Sequence, residues 1–427
     1  MLKLIKQKMT SGMGKDVVWT FSLQIVIMLC SFAINKILSN RLSIDDFGQY
    51  NVIKRSVQVL SFVMLAGVGI ALPRYIPLYR NDNPPRSIKP LLIASLIYII
   101  GITFVVFLIC LILSDQMQHL IIGQGDNISL LLIALAYAFV LAMAQYAYAY
   151  YRGIGDFKWY NGTQLAVQLA IVIPLFMLPV LTVSGVFVSW LVITTLLVAF
   201  YLGRELWMKT GFRDRLPGKS PQPLSTELKT IVKYSSGRLL ADFFLFSLSA
   251  FPLIYISNSQ GLQPTAYYSV GIFFVTMVTP VFSFMGIILL PYVSECIAKG
   301  ERHAANRLVS RLALVYVGAS LLITAFLYIF TSFLTGLLFS QSYVITTDLT
   351  RIMILSILPQ TIYLLYRNPI DAVSVIPYNT IILGICLAAM IISFSISSSL
   401  TQFAWAYLIV SCLQGLLSFL TWLVIKK

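Results

Sequence analysis

The chain has 427 residues, 59% of them apolar and 11% charged, with a formal net charge of +15 and a mean hydropathy of +0.87. A single soluble core stops growing near roughly 250–300 residues, so an apolar content this far above the usual roughly 45–50% excludes an ordinary soluble domain and calls for a bilayer. The charge pattern argues against a nucleic-acid surface, because two apolar runs separate each basic cluster from the next.

A spanning helix needs roughly 20 mostly apolar residues. On that criterion the chain is expected to be an all-α integral membrane protein of about twelve transmembrane helices. They are predicted over 17–38, 51–72, 90–113, 128–150, 161–181, 185–203, 233–257, 266–291, 309–331, 350–366, 374–395 and 402–425. Lys3, Lys6, Lys8 and Lys15 precede the first run, which has full membrane length and no small-residue cleavage site. It therefore reads as a span and not as a cleavable signal. No Asp, Glu, Lys or Arg falls between Lys158 and Arg204, or between Asp371 and Lys426. Each stretch is too long for one helix and is expected to fold back at its turn-like point, Pro179–Gly185 and Ser393–Ser399.

Charge tests this arrangement. Alternate connections carry Lys3 to Lys15, Arg74 to Lys89, Arg152 with Lys158, Arg204 to Lys233, Lys299 to Arg311, Arg367, and Lys426 with Lys427, which is 24 of the 30 basic residues. The opposite loops hold Arg41 as their one clear extramembrane cation, beside Asp45, Asp46, Asp115, Asp126 and Asp348. Lys and Arg concentrate on the cytoplasmic side of membrane proteins, so both termini are expected there. The basic segment 204–232, with Gly211, Pro217, Gly218, Pro221 and Pro223, reads as a cytoplasmic connector between six-helix bundles at 1–203 and 233–427. Sliding the sequence by 218 residues matches nine identities over positions 39–73, among them Ser39–Asn40 with Ser257–Asn258 and Leu72–Pro73 with Leu290–Pro291. Parallel repeats related by a pseudo-two-fold axis along the membrane normal leave such a trace.

Catalytic, metal and cofactor motifs are not found. Cys30, Cys110, Cys296, Cys386 and Cys412 are scattered, and His119 and His303 lie far apart. Gly218–Lys219–Ser220 resembles the end of a phosphate loop, but Arg213 occupies the required first glycine position. The outer connections near 114–127 and 332–349 are short for a glycan-polymerising enzyme.

Six cations lie outside the basic clusters: Lys36, Arg41, Lys54, Arg55, Arg238 and Arg351. A charge at the centre of a spanning helix costs about 2.5–3.5 kcal/mol or more, so it faces a polar cavity or snorkels to an interface. Lys36 and Arg351 are placed for snorkelling. Lys54 and Arg55 begin the second span and are candidate cavity charges. Arg238 and Asp242 have i,i+4 spacing, which suits a mutual ion pair; the alternative makes Arg238 a phosphate contact and Asp242 a coupling site. Spans one to six carry no acidic residue beyond their ends, which suits an anionic substrate better than an organic cation. Pro174, Pro252, Pro280, Pro291, Pro359 and Pro377 fall within or at the ends of spans and permit kinks.

The segment Leu38-Ser-Asn-Arg-Leu-Ser-Ile-Asp-Asp-Phe-Gly-Gln-Tyr50, followed by Gly67-Val-Gly69 and Pro73-Arg-Tyr-Ile76, resembles the opening of polysaccharide flippases. These belong to the multidrug/oligosaccharidyl-lipid/polysaccharide exporter superfamily. Leu290-Pro-Tyr-Val-Ser-Glu295 and Tyr366-Arg-Asn-Pro-Ile-Asp-Ala372 carry the resemblance through the second half, in loose and mostly structural motifs. The resemblance implies two six-helix bundles around a cationic cavity in a bacterial inner membrane. It also implies transfer of an undecaprenyl-diphosphate-linked glycan repeat unit, such as an O-antigen unit of lipopolysaccharide, alongside other polysaccharide assembly proteins. Cation-coupled drug exporters of the same superfamily and a membrane glycan polymerase are the alternatives.

Overall fold

The structure, a computed structural model, describes residues 12–82, 86–124, 127–207, 223–299, 301–374 and 376–426. Among these residues it is helical, with no strand. The helices are α1 (Gly12–Arg41), α2 (Ile44–Leu65), α3 (Val68–Asn81), α4 (Lys89–Ile112), α5 (Ser114–Ile121), α6 (Ile128–Ile154), α7 (Phe157–Met177) and α8 (Val183–Trp207). After the connector come α9 (Leu224–Ser259), α10 (Leu262–Ala298), α11 (Arg302–Ile329), α12 (Thr331–Leu338), a 3-10 helix (Gln341–Thr346), α13 (Thr347–Ile354), α14 (Ile357–Val373), α15 (Tyr378–Ser395) and α16 (Leu400–Ile425). Among the described residues eleven helices are long and apolar enough to cross a membrane, or twelve with one bent pair taken as a single span. Their outward side chains, such as Phe104, Phe176, Leu196, Leu314 and Leu322, are exposed apolar groups that only lipid would cover.

All twelve predicted spans have a helical counterpart, and both charge-free stretches turn where expected: α7 ends at Met177 and α8 begins at Val183, α15 ends at Ser395 and α16 begins at Leu400. The differences are local. The second span is one 37-residue run, Ile44–Arg80, broken at Ala66–Gly67. At 1.5 Å per residue it would reach about 55 Å, well beyond the roughly 30 Å hydrocarbon core. Gly67 has φ of 76°, and a Cβ there would lie 2.7 Å from the Ser235 carbonyl, so both backbone shape and packing require glycine. The tenth span is bent by 42° between α13 and α14. Pro359 has no N–H to bond the Leu355 carbonyl one turn earlier, and the buried Ser356 hydroxyl bonds the Met353 carbonyl at 2.6 Å beside the bend. Within the outer connections expected near 114–127 and 332–349 lie the short helix α5 and most of α12. In these helices Gln118 and Thr335 are buried, whereas Leu120 and Leu337 are exposed. The segment expected as a connector over 204–232 is helical at both ends; α9 starts at Leu224, with the N–H groups of Thr226 and Glu227 bonding the Pro223 carbonyl. Gly211, Pro217 and the Gly218–Lys219–Ser220 sequence lie outside the described residues.

Contacts divide the chain into two compact units. The first contains 1–42 and 52–243; the second contains 43–51 and 244–427. In the first, α6 is central and packs on α3, α7 and α8. Its alanines allow close helix approach, and its tyrosines fill the gaps: Tyr137 packs on Phe187 and Trp190, and Tyr151 on Trp159. The basic connections meet at one end of this unit. Arg80 donates to the Ile154 carbonyl and Arg152 to that of Gly69, while the Arg204 guanidinium lies 3.7 Å over the Trp159 ring. At the other end Arg41 donates to the carbonyls of Leu175, Leu178 and Pro179 at 2.8–2.9 Å. It thereby serves the open C-terminal carbonyls of α7 and opposes that helix's dipole.

In the second unit α14 is central, packed on α10, α11 and α16. The Tyr366 to Ala372 motif has a packing role: Tyr366 stacks with Trp422, and Asn379 closes the following turn onto the Arg367 carbonyl and Asp371. Gln360 bonds Tyr407 and Ser411 across the seam with α16, where Gly415 lets the Pro359 carbonyl approach. The turns after α9 and after α15 share an end, joined by Gln260 to the Ser398 carbonyl at 2.7 Å. The start of α11 lies beside the C-terminal end of α16, where Asn306 donates to the Lys426 carbonyl at 3.1 Å. Ser43–Asn51 opens with the Ser43 hydroxyl capping α2, accepting from the Asp46 N–H and donating to the Asp46 carboxylate, and continues with Phe47, fully buried against Phe339 and Tyr343.

Candidate functional site

Lys54, Arg55, Arg238 and Asp242 all belong to the first unit. Lys54 and Arg55 lie in the third turn of α2 and are half-buried. Arg55 reaches Gln58 at 3.5 Å. The spacing of Lys54, Gln58 and Ser61, i, i+4 and i+7, puts them on one helix face. From α6, Gln145 donates to the Ser61 hydroxyl at 3.2 Å, and its Oε1 is buried with no hydrogen-bond partner among the described residues. Farther along the unit Gln24 of α1 meets Gln164 of α7 at 3.4 Å. The two cations therefore stand on the same helix as uncharged amide and hydroxyl groups, with Asn51 and Ser56 also buried beside them. Such a set can attract an anion and hydrogen-bond sugar or phosphate oxygens. Gln58, Ser61 and Gln145 were not singled out from the sequence, although the i, i+4, i+7 spacing with Lys54 is visible there.

Arg238 and Asp242 are on α9, one turn apart. The apolar window of this helix begins at Leu239, so Arg238 stands at its margin and Asp242 just within it. Asp242 is half-buried; the Arg238 side chain lies outside the described residues. Arg41 and Arg351, two more of the isolated cations, are placed by local partners. Arg41 clamps α7 as above, and Arg351 pairs with Asp348 at 3.3 Å and lies over Tyr328.

A further charged group was passed over in the sequence. Glu227, in the first turn of α9, is 1% exposed and accepts a 2.7 Å hydrogen bond from the Tyr79 hydroxyl of α3.

A family model described as "Polysaccharide biosynthesis protein" matches residues 13–297. The chain belongs to this family. Its fold is that of the multidrug/oligosaccharidyl-lipid/polysaccharide transporters. An inward-facing multidrug resistance MATE family transporter of the MOP superfamily aligns with a TM-score of 0.75 at 13% identity, over 96% of this chain and 98% of that one. The lipid II flippase MurJ in an inward closed conformation aligns with a TM-score of 0.71 at 12% identity, over 96% and 87%. A MOP superfamily transporter from Pyrococcus furiosus, described as having a binding pocket of reverse polarity, gives 0.64 at 14% identity, over 96% and 94%. No curated protein sequence matches. As a member of this family the chain is a multi-pass membrane protein of polysaccharide biosynthesis with a transporter and flippase fold.

Proposed function

We propose that this chain is a flippase that carries undecaprenyl-diphosphate-linked oligosaccharide repeat units from the cytoplasmic to the outer leaflet of a bacterial inner membrane. The cargo would supply a surface polysaccharide such as O-antigen, capsule or exopolysaccharide, handed on to the other assembly proteins, and the basic connections and both termini would be cytoplasmic. The reading rests above all on one observation: a polysaccharide-biosynthesis chain keeps the adjacent cations Lys54 and Arg55 within a membrane span, beside Gln58 and Ser61.

The task is to move a diphosphate and its sugars past hydrocarbon while the polyprenyl tail stays in lipid. Removing the diphosphate from water is expensive, and Lys54, Arg55 and Arg238 offset that loss with positive potential. Gln58, Ser61 and Gln145 suit hydroxyl-rich sugars. Asp242 is assigned the coupling role. No bond in the cargo is made or broken, so the chain acts as a carrier and not as an enzyme. The experiment is flux of lipid-linked glycan in liposomes by the Lys54→Gln, Arg55→Gln, Arg238→Gln triple variant. Flux should fall at least about tenfold, a rise of roughly 1.4 kcal/mol in the transport barrier, at unchanged abundance, and charge-conserving Lys/Arg exchanges should restore part of it. Normal flux from the triple variant would remove these residues from the mechanism. A cation-coupled multidrug exporter is the second reading, favoured by the MATE neighbours; it requires flux of organic cations and none of lipid-linked glycan. A polymerase would instead lengthen the glycan.

A further inference from the structure

The buried face of the start of α9 is regular: Glu227, Ile231 and Ser235 are buried at i, i+4 and i+8, whereas Lys229, Val232 and Lys233 are exposed. This stripe lies on α3. Ser235 meets the backbone at Gly67, the Tyr234 ring packs on Tyr75 at 5.4 Å, and Arg74 reaches the Tyr234 hydroxyl at 3.4 Å and lies 4.8 Å over its ring. A carboxylic acid therefore occupies a core position of a helix-docking stripe, where an apolar residue would be expected. Its hydrogen-bond donor, Tyr79, is neutral, so the bond survives whichever way the acid is ionised. We propose that Glu227 is a proton-binding site whose occupancy governs the docking of the first turns of α9 on α3.

The surrounding groups set the direction. Burial pushes the Glu227 carboxyl up; the Tyr79 hydrogen bond and the positive charge of Arg86 pull it down, and burial prevails. Arg86 is itself divided between the Tyr79 ring at 5.4 Å and an ion pair with Asp82 at 2.6 Å. Tyr75 stands beside Tyr79 on α3, and Lys229 and Lys233 on α9 point to solvent. Glu227 lies twelve residues before Leu239, about 18 Å along the helix at 1.5 Å per residue, so it is outside the apolar window and within reach of water when α9 lifts. A carboxyl whose affinity for a proton is greater docked than free strengthens docking at low pH. That contribution is complete below the free carboxyl's pKa and is lost as pH rises through the docked one. Release of α9 therefore releases a proton. If the chain is a flippase this links movement of the helix after the connector to a proton gradient; the site itself does not depend on the cargo.

The test uses the full-length protein, purified, with its five native cysteines replaced and a single reporter, Ser235→Cys, whose position is buried only while α9 is docked. Its maleimide labelling is expressed relative to that of Lys229→Cys, an exposed position on the same helix, which cancels the reagent's own pH dependence. Because the docked carboxyl holds its proton more tightly than the free one, docking weakens as pH rises. Relative labelling should therefore rise severalfold from about pH 5 to about pH 8, be low and flat with Glu227→Gln, and be raised with Tyr79→Phe. Hydrogen exchange of 224–235 in the unmodified protein, corrected for intrinsic rates, should show protection growing on acidification. A pH-independent Ser235→Cys ratio, or the same profile in Glu227→Gln, would overturn the proposal. Neither readout involves transport, so the failure of the flippase reading and the failure of this one are separate results.

Discussion

Arg41 illustrates how a charge near a membrane edge can be wholly committed to structure. Its guanidinium fork spans three carbonyls at the end of α7, a geometry that a lysine ammonium cannot reproduce. Arg41→Ala should lower the stability of the first unit by about 1 kcal/mol, a modest value because the side chain is largely exposed. Arg41→Lys should recover less than half of that, read as the apparent melting temperature of the purified protein. Full recovery by lysine would mean that the charge matters and the fork does not. Lys54 and Arg55 could be found by eye because a cation in an apolar run is conspicuous. Glu227 could not: within 204–232 it is one polar letter among many. Its meaning appears only once α9 is known to begin at Leu224, which puts it in phase with Ile231 and Ser235.

At the scale of elements, hydropathy was enough to place every span, because the requirement for about 20 apolar residues acts on each helix separately. The break at Ala66–Gly67 was not legible, since the group that excludes a side chain there, the Ser235 carbonyl, lies more than 160 residues away in sequence. The first turns of α2 follow the same logic. Gly48 is buried where a Cβ would collide with the Leu262 carbonyl, and Phe47 is fully enclosed beside it, so Ser43–Asn51 is held as part of the second unit. Backbone cannot give way as a flexible side chain can. Gly48→Leu should therefore destabilise the second unit by about 1–3 kcal/mol through overpacking. Gly101→Leu on α4, where a side chain would meet nothing, should leave stability unchanged or slightly improved through helix propensity. Equal melting temperatures for the two variants would show that α2 and α10 have room to separate at this point.

For the whole molecule the question is whether the basic ends of the two units share one side of the membrane. Within each unit the structure groups the connections consistently. In the first, Tyr79, Arg80, Arg152 and Glu227 interlock at one end; in the second, Gln260 and Ser398 mark one set of turns, and Asn306 with Lys426 the other. Lys and Arg resist translocation, and 24 of the 30 lie on the connections expected to be cytoplasmic. Cysteines introduced at Asn127, Ser259 and Ser398, all exposed, should react with an impermeant thiol reagent added to intact cells. Lys158 and Lys229, exposed on the basic side, should react only after permeabilisation, as should Gly218 and Gly300. A cysteine-free background is needed because Cys412 is exposed. The two sets report on different units: Asn127 and Lys158 flank the first, Ser259 and Ser398 the second. External labelling of Lys229 together with Asn127 would break the two-sided pattern within the first unit itself. External labelling of Asn127 with protection of Ser259 and Ser398 would leave each unit intact but require an odd number of crossings between them. That second outcome would exclude a parallel repeat, because only an even number of spans returns the chain to the same side before the second half begins.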